Sequence, residues 1–328
     1  MSTPPSPSSR PPVISAGMVL VDHLTPPIPR LPRAGELIAV DELPLNIGGG
    51  AANTSMALGR LGVPVSVSAR IGDDAFGRFI VESLRSGGVG TEFITTDPKL
   101  PTSQTLIVNV QGEDRRFIHT LGANRGYVAA DMDEAISTPP KVLHIGYFLI
   151  LPQLDGAELA RRFDRVRKAG GHTVLDVVTP GEGNYVEPLK QVLPHTDVFK
   201  PNTDEAALIL GEHDPIRQAR AFREMGARRV VITMGDGGLV SLSDENEVRM
   251  GAFPVPFVDG TGGGDAFNAG YIVGLLEGKS EMECLTLASA VGASCVREVG
   301  ATPGVFRRHE ADEFLARHEI PIERIQRV

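Results

Sequence analysis

From Val13 onward, short β-like runs alternate with helical stretches, and no other feature of this 328-residue chain restricts its fold as tightly. VISAGMVLV reads as a strand, AANTSMALGRLG as a helix, VPVSVSARIG as a strand, and DAFGRFIVESLRSGG as a helix stopped by Gly87 and Gly88. KVLHIGYF, HTVLDVV, TDVFK and RRVVITMG continue the strands, with helical patterns near 154–169, 203–210 and 216–225 between them. Two apolar helices, about 264–276 and 282–296, close the series. Such an order predicts a three-layer α/β fold around a central, mainly parallel sheet. Two stretches with period-2 patterning, about 36–46 and 103–120, break the alternation and are expected to form a small β lid. Residues 1–12, MSTPPSPSSRPP, are predicted to be a disordered Pro/Ser-rich tail, and 13–328 a single domain.

Composition narrows the functional classes. A net charge of −9, with Lys and Arg scattered, argues against broad binding to nucleic acid or anionic membranes, so a phosphate handled here would be small and locally held. Cys284 and Cys295 are the only cysteines, too few for a disulfide framework or a four-cysteine zinc site. The longest apolar runs fall short of the ~20 residues a bilayer span requires, and the first residues lack the apolar segment of a secretory signal. Cytoplasmic residence is the expectation.

The chemistry concentrates in VDGTGGGDAFNAGYIVGLLEG, 258–278. Gly262, Gly263 and Gly264 run straight into a helix, so successive N–H groups can converge where the helix dipole is positive, which makes an anion hole. Asp265 at that helix start is either an ordinary cap or a carboxylate able to take a proton from an attacking hydroxyl. The Lys and Ser/Thr of a P-loop are missing. A second glycine-rich segment, NIGGGAANTSMALGRLG, allows two functional readings. It is a dinucleotide turn with Asp73 further on, or a place where Gly48, Gly49 and Asn53 let a polyol approach the backbone. In FKPNTDEA, Asn202 and Glu205 share one face of a helix start, where they can hold hydrated Mg²⁺ or simply cap the helix.

In this order the segments resemble the ribokinase, or PfkB, family of carbohydrate kinases. The likeness is carried by AGMVLVDH, GGGAANTSMALGRLG, IGDDAFG, LGAN, PNTDEA, VVITMGDGG, DGTGGGDAF and VGATPG. It implies a ribokinase-like fold with ATP and Mg²⁺ as cofactors; a homodimer through the β lid is expected on separate grounds, because alternating apolar residues such as Leu106, Val108 and Val110 lie on exposed strand edges. The resemblance also implies Asp265 as catalytic base and Gly262, Gly263 and Gly264 as anion hole. By the same resemblance Asp22, Gly48, Gly49 and Asn53 contact the sugar, while Asn202 and Glu205 serve Mg²⁺ and phosphate. Thr233, Gly235 and Gly238 match a nucleotide-binding turn, with Ser289 near the adenine. Asp259 and the backbone of Thr261, Cys295, Glu298 and Gly300 match a monovalent-cation site, for which potassium is the candidate. The chain departs from the family pattern at Gly260, Gly263 and Gly304, and Tyr147 stands near where ribose-specific members place a sugar-contacting Glu.

The leading expectation is ATP-dependent phosphorylation of a primary hydroxyl of a sugar or sugar-containing metabolite. An NAD-linked oxidoreductase and a non-catalytic sugar- or nucleotide-binding regulator are the alternatives. Arg115, Arg116 and Arg125, around the lid, can bind a phosphorylated sugar or remain solvated.

Overall fold

The computed structural model describes residues 10–113, 116–179, 181 and 183–325. Most of the expected tail therefore lies outside the described residues. The strands are β1 Val13–Gly17, β2 Leu20–Leu24, β3 Leu45–Gly48, β4 Val65–Gly72, β5 Gly90–Asp97, β6 Gln104–Val108, β7 Arg116–Thr120 and β8 Val142–Gly146. They continue with β9 His172–Asp176, β10 Val198–Lys200, β11 Arg229–Thr233, β12 Leu239–Ser243, β13 Glu247–Met250 and β14 Ile322–Arg324. The helices are α1 Gly50–Arg60, α2 Ala75–Ser86, α3 Gly156–Lys168, α4 Val186–Val192, α5 Thr203–Leu210, α6 Pro215–Glu224, α7 Gly263–Leu276, α8 Glu281–Cys295 and α9 Arg308–Leu315.

Ten strands form the main sheet in the order β14-β13-β12-β11-β10-β9-β8-β1-β4-β5. Pairing is parallel from β5 through to β11 and antiparallel among β11, β12, β13 and β14. Alternate strand residues enter two cores. Val13, Val142, Val174 and Val198 pack on the side of α1, α7 and α8, whereas Ile14, Leu143, Leu175 and Phe199 face α3 and α6. The three-layer α/β expectation is what the structure shows.

VISAGMVLV is not one strand. Gly17 takes φ 123°, and a Cβ there would lie 2.4 Å from the carbonyl oxygen of Gly146, so the chain turns sharply against β8. Val13–Gly17 joins the main sheet, and Leu20–Leu24 enters a second, four-stranded sheet of order β3-β2-β6-β7. There β2 pairs antiparallel with β3 and parallel with β6, and β6 pairs antiparallel with β7. The strand expected from residue 36 begins only at Leu45; residues 36–44 are irregular, joined to β2 at their end, where Leu24 N–H donates to the Pro44 carbonyl at 3.1 Å. Between β6 and β7 the chain turns at Gly112, φ 76°, and Asp114 lies outside the described residues.

Pairing aligns Leu45, His23, Leu106 and Ile118 in one cross-strand row, and Asn46, Asp22, Thr105 and His119 in the next. Side chains in adjacent rows point to opposite faces, so one face exposes Leu45, Leu106 and Ile118 and the other contains Asp22, Thr105 and His119. No helix among the described residues is long and apolar enough to cross a membrane.

Candidate active site

Two helix starts converge on one carboxylate. α7 is entered through Gly262 at φ 77°, and its first helical bond runs from Ala266 N–H to the Gly262 carbonyl, which leaves the amides of Gly264 and Asp265 outside the ladder. Close packing requires the glycines: a Cβ at Gly262 would lie 2.5 Å from Ala301, and one at Gly264 would lie 2.8 Å from Lys200 Nζ. Asp265 does not cap its helix. Its Oδ2 instead accepts from Asn53 Nδ2 at 2.9 Å and from the Tyr147 hydroxyl at 2.9 Å. Asn53 sits in the first turn of α1, which is entered through Gly49 at φ 92°, close under the Met18 carbonyl. Asp265 Oδ1 and Asn53 Oδ1 are both buried and find no hydrogen-bond partner among the described residues. Two acceptors thus await donors at the mouth of the α7 amides.

Beneath this mouth the main sheet ends in charge. Asp176 and Lys200 are the last residues of β9 and β10 and are cross-strand neighbours, with Lys200 Nζ 3.2 Å from Asp176 Oδ1. Asn268, one turn beyond Asp265, donates to Asp176 Oδ2 at 2.7 Å. Burial and the Asp176 carboxylate push Asp265 up to about 7, opposed by the Asn53 hydrogen bond, Lys200 and Tyr147. Burial, then Asp176, pushes Glu205 up to about 8. For Lys200 burial works against the charge, but Asp176, Glu205 and Asp265 together hold its proton more tightly than usual. One buried ammonium thus balances three carboxyl groups.

Of the sequence-predicted sugar contacts, Asp22, Gly48, Gly49 and Asn53 come together at the head of α1. A Cβ at Gly48 would lie 2.3 Å from Asp22 Oδ2, so that glycine makes room for the carboxylate. Burial raises Asp22 to about 6, partly offset by its hydrogen bond with Thr105. Thr105 Oγ1 in turn meets His119 Nδ1 at 3.0 Å. Asn202 and Glu205 form a reciprocal cap on α5: Asn202 Oδ1 accepts from Glu205 N–H at 2.8 Å, and Glu205 Oε2 from Asn202 N–H at 2.9 Å. An isolated bridge joins Asn202 to Thr233, so the turn at Gly235 (φ 59°) and Gly238 (φ 82°) lies beside that cap. Ser289 is half-buried on α8.

Asp259, Thr261, Cys295 and Gly300 are also assembled, with the Asp259 carboxylate and the Cys295 thiol engaged by the chain itself. Asp259 accepts from Thr261 N–H at 3.0 Å, Thr261 Oγ1 at 2.8 Å and Gly300 N–H at 2.9 Å. Cys295 Sγ lies 3.3 Å from the Thr261 carbonyl and 3.1 Å from that of Ala301. Glu298 is exposed. The Asp259 carboxylate thus braces this turn, and no step is assigned to potassium. Arg116 pairs with Glu113 beside the hairpin turn, Arg125 is exposed, and Arg115 lies outside the described residues.

Sequence reasoning passed over Asp176, Lys200, Asn268 and His119. The first two carried a signal: each is a charged residue ending an apolar strand run, at the carboxyl edge where open α/β sheets place their ligands.

The description "pfkB family carbohydrate kinase" matches residues 15–306, and the chain belongs to that family. It is therefore a sugar kinase. Ribokinase of Bacillus subtilis is 30% identical over 287 residues, 87% of this chain and 93% of that protein. The 2-dehydro-3-deoxygluconokinase of Thermoproteus tenax is 29% identical over 278 residues, 82% of this chain and 85% of that one. The structure of Arabidopsis thaliana ribokinase complexed with ribose and ATP matches with a TM-score of 0.79 at 24% identity, covering 94% of this chain and 99% of that chain, a likeness of fold. The oxidoreductase alternative falls with these findings. Its glycine turn follows β3 of the small sheet rather than a strand of the main one, and Asp73 is exposed.

Proposed function

We propose that the protein transfers the γ-phosphoryl group of ATP to a primary hydroxyl of a sugar or sugar-containing metabolite, with Asp265 as general base. The observation that carries this is the bare, buried Oδ1 of Asp265 beside the free amides at the head of α7. The acceptor's proton passes to that oxygen as the acceptor oxygen bonds to phosphorus; the bond from phosphorus to the bridging oxygen breaks and ADP leaves. The amides of the Gly262, Gly263 and Gly264 turn stabilise the charge on the transferring group. Asp22 and Asn53 Oδ1 accept from sugar hydroxyls approaching over Gly48 and Gly49. Thr233, Gly235, Gly238 and Ser289 belong to the nucleotide side. Residues 13–328 act as one kinase domain with a lid in the small sheet. Coupled detection of ADP across nucleosides, fructose, ribose-like sugars and acidic keto sugars tests this. ADP should form with one acceptor class and match phosphorylated product mole for mole; acceptor binding without ADP release would instead make the protein a regulator.

Asn202 and Glu205 would hold a magnesium ion on the nucleotide side, where it would supply positive charge to offset that of the phosphates. An amide and a carboxyl at one helix start, they would suit an ion that keeps most of its water and takes few protein ligands. Glu205→Gln is expected to raise severalfold the Mg²⁺ concentration giving half-maximal ADP release, with little loss of stability because Gln also completes a capping box. An unchanged Mg²⁺ titration would leave Glu205 a helix cap only.

The lid face carrying Leu45, Leu106 and Ile118 is the proposed surface of a homodimer; these side chains are 40%, 39% and 68% exposed. Light scattering should give the mass of a dimer for the native chain and of a monomer for Val108→Lys, which places a charge next to Leu106 on the same face. A native monomer, or a dimer indifferent to the substitution, would remove the lid from the interface.

A further inference from the structure

Tyr147 is the one non-glycine residue among those described with a left-handed backbone, at φ 66° and ψ 50°. That conformation is strained for a residue with a Cβ, by about 1–2 kcal/mol, so the surroundings must enforce it. They do so through two glycines. A Cβ on Gly50 would lie 2.7 Å from the Tyr147 ring, and a Cβ on Gly146, the preceding residue, would lie 2.4 Å from the backbone nitrogen of Ala51. The end of β8 is thereby pressed against the head of α1. Turning left there sends the phenol across to α7, where it ends on Asp265 Oδ2, the oxygen that Asn53 also holds.

We infer that Tyr147 is a positioning residue: its hydroxyl and the Asn53 amide together lock Oδ2 of Asp265, so that Oδ1 alone is presented to the acceptor. This rests on the reading of Asp265 as base. A carboxylate gripped at one oxygen by two donors cannot swing about its terminal torsion to exchange its oxygens, and the free one keeps a fixed direction. The same two donors favour the charged form, opposing burial and the Asp176 carboxylate. The phenol stays a donor throughout, since burial and the Asp265 charge hold its own ionisation far above neutrality. Tyr147 thus does two things through one hydrogen bond: it aims the base and keeps it ionised.

The test compares the full-length native chain with Tyr147→Phe, which keeps the ring against Gly50 and removes only the hydroxyl. The Asp265 carboxyl is titrated by NMR with isotope-labelled aspartate, its signal identified by its absence in Asp265→Asn. Its midpoint should rise by about one pH unit in Tyr147→Phe. In ADP release with D-ribose, D-fructose, adenosine and 2-dehydro-3-deoxygluconate as acceptors, the acid limb of kcat should move up by the same amount. The drop in kcat should be about tenfold at pH 7, with KM for the acceptor within about twofold. An unmoved Asp265 midpoint overturns the inference, whatever happens to kcat. Full activity of Asp265→Asn with a shifted midpoint would instead overturn the base assignment and leave the Tyr147 contact standing, so the two failures are separable.

Discussion

Asp265→Asn is expected to lower kcat by roughly 100- to 10,000-fold, the usual contribution of a general base, while ATP and acceptor still bind. Asn preserves an oxygen for the Asn53 and Tyr147 donors, so the geometry around Oδ2 survives and only the proton acceptor is lost. The same substitution should stabilise the fold. Asp265 is raised from an ordinary 3.8 to about 7, so the folded state binds its proton more tightly than the unfolded chain does. Folding therefore loses stability as pH rises from about 4 through 7, and the neutral amide escapes that loss. Denaturant unfolding should show Asp265→Asn more stable than the native chain at pH 8, with the difference gone below pH 4. In the native chain kcat should fall as pH drops through about 7, when Oδ1 acquires its proton. Full turnover by the variant, or a variant less stable at pH 8, would contradict the role given to this carboxyl.

The second large effect concerns Lys200. Replacing it with Met removes the one ammonium among Asp176, Glu205 and Asp265 and leaves Asp176 buried with only its Asn268 and backbone donors. Breaking a buried ion pair from one side costs about 3–5 kcal/mol, a large fraction of a stability of ~5–15 kcal/mol. The sign with pH is set by the partners. Asp265, raised to about 7, is mostly ionised at pH 8 and mostly protonated at pH 6, so the loss should be greater at pH 8 and smaller at pH 6, where a proton on Asp265 relieves part of the missing positive charge. Urea unfolding of Lys200→Met at these two pH values measures it; a loss below about 1 kcal/mol, or one independent of pH, would show that Lys200 is not the counter-charge of the cluster.

How much of this site can be read without the fold depends on the length scale of each feature. The head of α7 is local: a glycine run entering an apolar helix with Asp265 in its first turn is visible in a dozen residues. Asn202 and Glu205 are local too, and the structure shows their spacing building a reciprocal cap. By contrast, VISAGMVLV has the apolar run of one strand, and its division between two sheets comes from the contact of Gly17 with Gly146. Lys200 looks like the polar end of a short strand until β9 places Asp176 beside it.

By itself the sequence determined the α/β class, the element order and the two glycine-led helix starts, because apolar periodicity and glycine permissiveness act within a few residues. Only the tertiary structure decided that Asn53 and Tyr147, 212 and 118 residues away from Asp265 in the chain, meet on one oxygen of its carboxylate. It also decided that a single lysine neutralises the sheet edge beneath. Those facts depend on which strand ends and helix heads the packing of α1, α7 and β8 brings to one point, and on the low dielectric that packing creates, neither of which is a property of any local stretch of chain.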